Sequence, residues 1–122
     1  MKIMIVDDHD MVRLGLKTYL SLESDMEVIA EAMNGKEALD VLAARQAKGE
    51  SLPDLILMDL MMPEMDGIAA TKAITDRYQG MKIIILTSFL EDDKVMEGIQ
   101  AGAVSYVLKS VSSEELVYAI KG

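Results

Sequence analysis

The chain alternates between short runs rich in Ile, Val and Leu and longer stretches where apolar residues recur three and four apart. The runs are "KIMIV" (2–6), "EVIAE" (27–31), "DLILM" (54–58), "KIIIL" (82–86) and "SYVL" (105–108). They start 25, 27, 28 and 23 residues apart, room for a strand, a helix and two loops. Most lack polar alternation, as parallel strands covered on both faces do. The intervening stretches carry helix start and stop signals. Asn34 precedes "GKEALDVLAARQ" with Glu37 three residues on as capping partner, and Ser112 precedes "SEELVYAIK" with Glu115 placed likewise. "MDGIAATKAITDRY" and "EDDKVMEGIQAG" supply two more, the latter stopping at Gly102. No side-chain pattern recurs from unit to unit, so the spacing is not that of a solenoid. The pattern predicts a (βα)5 fold: a doubly wound, flavodoxin-like sheet of five parallel strands in the order 2-1-3-4-5.

Composition narrows the function. The 122 residues suit one domain, and a hydrophobic content of 51% argues against disorder. The apolar runs are far shorter than the roughly 20 residues that span a bilayer, so no membrane association is expected. The opening "MKIMIVDD" is not expected to be a signal peptide, and with no cysteine a reducing, cytoplasmic setting is expected. Twelve basic against 21 acidic residues give a net charge of −9, which repels phosphate backbones. The domain itself is therefore not expected to bind nucleic acid.

In doubly wound sheets ligands sit beyond the carboxyl ends of the strands, where strand order reverses. Strand one ends in Asp7-Asp8, strand three in Asp59, strand four in Thr87-Ser88 and strand five in Lys109. With strands one and three adjacent, three carboxylates converge and call for a cation. Oxygen ligands favour a hard ion, and Mg²⁺ suits a partly hydrated carboxylate site. Asp59 is then placed to attack phosphorus and become an aspartyl phosphate. Lys109 would pair with phosphoryl oxygens, and the Thr87 hydroxyl would donate to another. Singly, each has a plainer explanation: "DDHD" as a helix cap, Thr87-Ser88 as another, Lys109 as a surface lysine. Their coincidence at four strand ends favours a site.

The blocks "IVDDH", "LILMDLMMPEMDG", "ILTS" and "YVLKS" resemble the signatures of a response-regulator receiver domain, in order and over the whole chain. "DDHDMVRLGLKTYL" further resembles the subfamily whose receivers precede a LuxR-type helix-turn-helix. The resemblance implies that Asp59 is phosphorylated from a phosphohistidine on a sensor histidine kinase. It implies Mg²⁺ held directly by Asp8 and Asp59, through water by Asp7, and by the backbone carbonyl of Met61. It makes Thr87 and Tyr106 a switch pair, Lys109 the phosphate-binding lysine, and Pro63 and Gly67 the turn after the acceptor. Met61 and Phe89 would flank the phosphoryl group, and neither can position a water, so slow autohydrolysis is expected. Ser110 stands where relatives often carry a cis-proline. Because the chain stops at Gly122, just inside the last helix, residues 1–122 are expected to be cut from a longer regulator with a DNA-binding effector domain; a stand-alone receiver is the alternative.

Helix one carries apolar residues over about two-thirds of its circumference at 100° per residue, wider than a core stripe requires. Its surplus, chiefly Met11 and Leu14, suits either a contact in a phosphorylation-dependent homodimer or ordinary exposed apolar surface. Similarly, the methionines at 58, 61, 62 and 65 suit adaptable packing better than a partner surface. His9, the only histidine, is expected to start helix one at the surface. Two rivals fare worse. A Mg²⁺-dependent aspartyl phosphohydrolase would want an acid at position 61, and a flavin carrier would not place "DDHD" in its phosphate loop.

Overall fold

The computed structural model describes residues 1–60, 67–87, 93–109 and 113–121, with the backbone alone for 93, 94 and 113. The chain runs β1 (Lys2–Val6), α1 (Asp10–Ser21), β2 (Glu27–Ala32), α2 (Gly35–Ala47), β3 (Leu55–Asp59), α3 (Gly67–Arg77), β4 (Lys82–Thr87), α4 (Asp93–Gln100), β5 (Ser105–Leu108) and α5 (Ser113–Lys121). All strands pair in parallel, in the expected order β2-β1-β3-β4-β5.

Alternate residues of the central strands feed two cores. Met4, Val6, Ile56, Met58, Ile83 and Ile85 face α2, α3 and α4 through Ala38, Leu42, Ala70, Ile74 and Val95. Ile3, Ile5, Leu55, Leu57, Ile84 and Leu86 face α1 and α5 through Leu20, Leu116 and Ile120. Each buried Leu or Ile contributes about 1.5–3 kcal/mol, and the strands pack on both sides, which is why they read as unbroken apolar runs. β2 departs from that reading. It lies at the sheet edge, and Val28, Ile29, Ala30 and Glu31 are only half-buried.

Two signals act as anticipated. The Asn34 side chain accepts the Glu37 N–H at 2.8 Å and caps α2, while Glu37 accepts the Met33 N–H at 3.2 Å. α4 ends in a Schellman motif: Ala103 N–H donates to Gly98 O and Gly102 N–H to Ile99 O, both at 3.1 Å, with Gly102 at φ 125°. The expected cap at Ser112 lies outside the described residues. β3 sits one residue later than expected. Asp54 precedes the strand: its N–H donates to Lys2 O at 2.7 Å while its carboxylate accepts the Lys2 N–H at 2.8 Å, and Asp59 joins the ladder opposite Leu86. β4 likewise extends to Thr87, opposite Leu108. Both shifts put a functional candidate on the last rung of its strand. Among the described residues, no helix is long and apolar enough to cross a membrane.

Candidate phosphoacceptor site

The apolar strands deliver their terminal polar residues to one crevice. Asp7 follows Val6 and is fully buried; its N–H donates to Ala32 O at 3.0 Å, pinning the end of β1 to β2. Asp59 and Thr87 are 2% and 4% exposed. The Lys109 N–H donates to Thr87 O at 2.8 Å, so the lysine leaves β5 anchored to β4. Its ammonium then reaches across the sheet: Nζ lies 3.0 Å from Asp59 Oδ1 and 3.3 Å from Asp7 Oδ2.

One ligand atom from each of Asp7, Asp8, His9 and Asp59 lies within 4.8 Å of all the others. Two ionised carboxylates at such distances repel by about 3–4 kcal/mol at an effective dielectric near 20, and a single ammonium offsets this only in part. Partial burial on its own would lower the Lys109 pKa. The hydrogen bond and charge of Asp59, and then the charge and hydrogen bond of Asp7, outweigh it and hold the group above its ordinary 10.5. The lysine is thus a firmly protonated counterion. The remaining negative charge, presented on carboxylate oxygens, fits a hard divalent cation in chemistry.

Asp7, Asp8, Asp59, Thr87 and Lys109 thus stand at adjacent strand ends. Ser88, Phe89, Met61 and the Lys109–Ser110 bond lie outside the described residues, as do Met62, Pro63 and Met65. Tyr106 sits on β5 opposite Ile85 and is 44% exposed. Met11 and Leu14 are exposed on α1, at 79% and 56%. His9 is the N-cap of α1 and mostly exposed, in keeping with a surface helix start. The chain also folds its Nδ1 to 3.1 Å from Asp7 Oδ1 and 3.0 Å from Asp8 Oδ1, a contact that its position in the sequence did not announce.

Two further residues shape the site. A Cβ on Gly67 would lie 2.2 Å from Asp59 O and 2.9 Å from Leu60 Cα, so α3 starts directly against the Asp59 backbone. Its role in a turn was anticipated, this close approach was not. Arg13 donates to the carbonyl of Asp7 and to the Asp10 carboxylate, and its Nε lies 3.4 Å from Glu31 Oε1. Asp10 and Arg13, three apart on a helix, form a legible pair; the reach to Asp7 and Glu31 is tertiary.

Comparison with known proteins agrees with this geometry. Residues 3–121 match the response regulator receiver domain family. The response regulator protein VraR of Staphylococcus aureus is 46% identical over 121 residues, 98% of this chain and 54% of that protein. The chain therefore spans about half the length of the curated relatives it matches. The signal receiver domain of a NarL response regulator from Mycobacterium tuberculosis superposes with a TM-score of 0.87 at 30% identity, covering 98% of this chain and 92% of that one. A two-component response regulator of the LuxR family from Aurantimonas gives 0.86 at 34% identity, covering 98% and 81%. The fold and these relatives together establish that the chain belongs to the response regulator receiver domain family, a family of signalling domains, and is the receiver domain of a two-component response regulator.

Proposed function

We propose that Asp59 accepts a phosphoryl group from a phosphohistidine of a partner sensor histidine kinase. An Asp59 carboxylate oxygen forms the new O–P bond as the N–P bond breaks, and the leaving imidazole keeps the bonding electron pair and takes up a proton. The observation that carries this reading is the Lys109 ammonium, 3.0 Å from Asp59 and 3.3 Å from Asp7. It stands ready to exchange a carboxylate for a phosphoryl oxygen without crossing the site. Asp7, Asp8, Asp59 and the backbone carbonyl of Met61 would hold Mg²⁺, which when bound neutralises the carboxylates and attracts the incoming phosphoryl oxygens. This chain's own residues do the rest. The β3 backbone fixes the attacking carboxylate, and the buried crevice limits competing water.

Phosphorylated Asp59 then draws in the hydroxyls of Thr87 and Ser88. Tyr106, 44% exposed, rotates inward to fill the space that Thr87 leaves. The added charge, roughly −1.5 to −2 if it titrates as other phosphorylated side chains do, biases a pre-existing equilibrium at the α4–β5–α5 face. Met61 and Phe89 leave the phosphoryl group without a group to activate water, so self-catalysed hydrolysis is slow. In a longer regulator the equilibrium governs dimerisation, with Met11 and Leu14 on the contact surface, and transcription through a DNA-binding effector of the LuxR type. Such a protein works in the cytoplasm.

Incubation with Mg²⁺ and acetyl phosphate, followed by intact-mass measurement, tests the central step. One phosphoryl group is expected on the parent and none on Asp59→Asn. Labelling of the variant at an unchanged level would refute the assignment.

A further inference from the structure

The three carboxylates of the site do not lie close by their own preference. Asp7 and Asp8 sit on the short segment between β1 and α1, and mutual repulsion favours any movement that swings this segment away from Asp59. Lys109 restrains the Asp7 carboxylate from the β5 side. Towards α1 and β2, beside the Asp7 N–H bond to Ala32 O, a further restraint is Arg13. Its guanidinium donates to the Asp7 carbonyl and to the Asp10 carboxylate, and its Nε lies 3.4 Å from Glu31 Oε1. One planar cation thus joins the β1–α1 segment, the first turn of α1 and the end of β2. Its side chain is 13% exposed, which fits a fixed brace better than a solvated surface charge. Glu31 is shared with Lys17, whose Nζ lies 3.0 Å from Oε2 and which touches none of the site's own groups among the described contacts.

We infer that Arg13 is a positioning residue for the cation site: it holds the Asp7-Asp8 segment in the ligating arrangement, so that metal binding need not order the segment first. The inference rests on the metal-binding reading above and assigns Arg13 no contact with the ion or the phosphoryl group. Residues that orient metal ligands from behind typically change affinity by 10–100-fold when removed. A guanidinium acting through a backbone carbonyl belongs at the low end, about tenfold.

The sign of the effect separates this role from simple electrostatics. Deleting a positive charge near an acidic site should tighten cation binding if charge alone matters. Deleting the brace should weaken it. Arg13→Met keeps the aliphatic stem and removes every donor; Lys17→Met removes one positive charge from the same Glu31 and serves as the charge-matched control. Mn²⁺ affinity of the unphosphorylated protein is measured by titration of the free-ion electron paramagnetic resonance signal, alongside metal-free melting temperatures. The expected result is about tenfold weaker Mn²⁺ binding for Arg13→Met, with Lys17→Met unchanged or slightly tighter. Acetyl phosphate labelling of Arg13→Met should recover at saturating metal, because the reacting groups are intact. Equal or tighter binding by Arg13→Met overturns the inference while leaving the metal site standing. A parent chain that binds no Mn²⁺ overturns both. If Arg13→Met does not fold, Arg13→Lys, which keeps the charge but loses the planar fork, supplies the same comparison. Binding weakened several-fold then supports the brace, and unchanged binding refutes it.

Discussion

Lys109→Met exposes how the acidic cluster is held in the absence of a cation. The substitution keeps most of the side-chain volume and removes an ammonium that lies 3.0 Å from Asp59 and 3.3 Å from Asp7. Both carboxylates are almost wholly buried, whereas the Lys109 side chain is one-fifth exposed. Removing one partner of a buried ion pair typically costs about 3–5 kcal/mol. Because water reaches this lysine, about 2–4 kcal/mol is the better expectation, with about 3 as the working figure. For a domain of 122 residues, an unfolding entropy near 2.1 cal/mol/K per residue converts this into a fall in Tm of about 12 °C.

The cation supplies a second arm. In the parent the ammonium occupies part of the electrostatic well, so Mg²⁺ competes with it. In Lys109→Met that competitor is gone. Saturating Mg²⁺ stabilises both proteins, so the gap narrows by RT ln of the ratio of their Kd values, about 1.4 kcal/mol for each tenfold by which Lys109→Met binds the ion more tightly. Thermal melts of both proteins, with a chelator and then with Mg²⁺, should show a large gap that narrows on adding the metal. A variant that melts with the parent in chelator would refute the idea that Lys109 holds the carboxylates together. A gap that Mg²⁺ leaves untouched would show that the destabilisation arises elsewhere than in the acidic cluster.

Other expectations follow from the same contacts. Thr87→Ala should be phosphorylated at close to the parental level yet lose the phosphate-dependent change in self-association measured by sedimentation; a full response would remove Thr87 from the relay. Gly67→Ala should lower stability by about 3 kcal/mol or more, since its Cβ would meet the Asp59 carbonyl at 2.2 Å, and a parental melting curve would contradict the close approach of α3. Alkaline pH should weaken the fold through Lys109. A folded-state pKa raised above the ordinary 10.5 means that this stabilisation is fully present below that value and is lost as pH rises through the folded-state pKa. Denaturant melts at successive pH values above neutrality should show Lys109→Met lacking this part of the alkaline loss.

The architecture was readable because each central strand is covered on both faces, and double burial writes itself into the chain as an unbroken apolar run. Strands β1 and β5 were placed to the residue. The one-step shift of β3 came from Asp54, whose carboxylate takes the Lys2 N–H where a regular ladder would offer a backbone carbonyl. β2 reads as apolar but lies at an edge, a property of strand order rather than of its own residues. The acidic trio and Lys109 could be assembled from sequence because a doubly wound topology sends every strand's carboxyl end to one rim. The roles of Arg13 and His9 could not. Arg13 touches a carbonyl, which carries no residue signature, and Glu31, a neighbour only after β2 docks on β1. His9 occupies the N-cap of α1 without a side-chain cap hydrogen bond, and its ring turns back to Asp7 and Asp8 only through the local path of the chain.

The placement of buried polarity explains how a chemical event at this rim can alter conformation without endangering the fold. Among the described residues, four polar or charged side chains are buried: Asp7, Asp59, Thr71 and Thr87. Asp59 and Thr87 end β3 and β4 and Asp7 directly follows β1, while the interiors of these three strands contain Ile, Leu and Met alone. Repulsion between the carboxylates is therefore loaded onto the ends of strands whose positions are already fixed by two apolar cores. The sheet cannot relax that repulsion by slipping, since moving a strand by one residue would turn every side chain to the opposite face. What can respond is the set of groups at or past the last rungs: the β1–α1 segment, Thr87 and Lys109. A new charge on Asp59 would thus act where the structure is already electrostatically poised, and its free energy would go into rearranging those groups instead of the core.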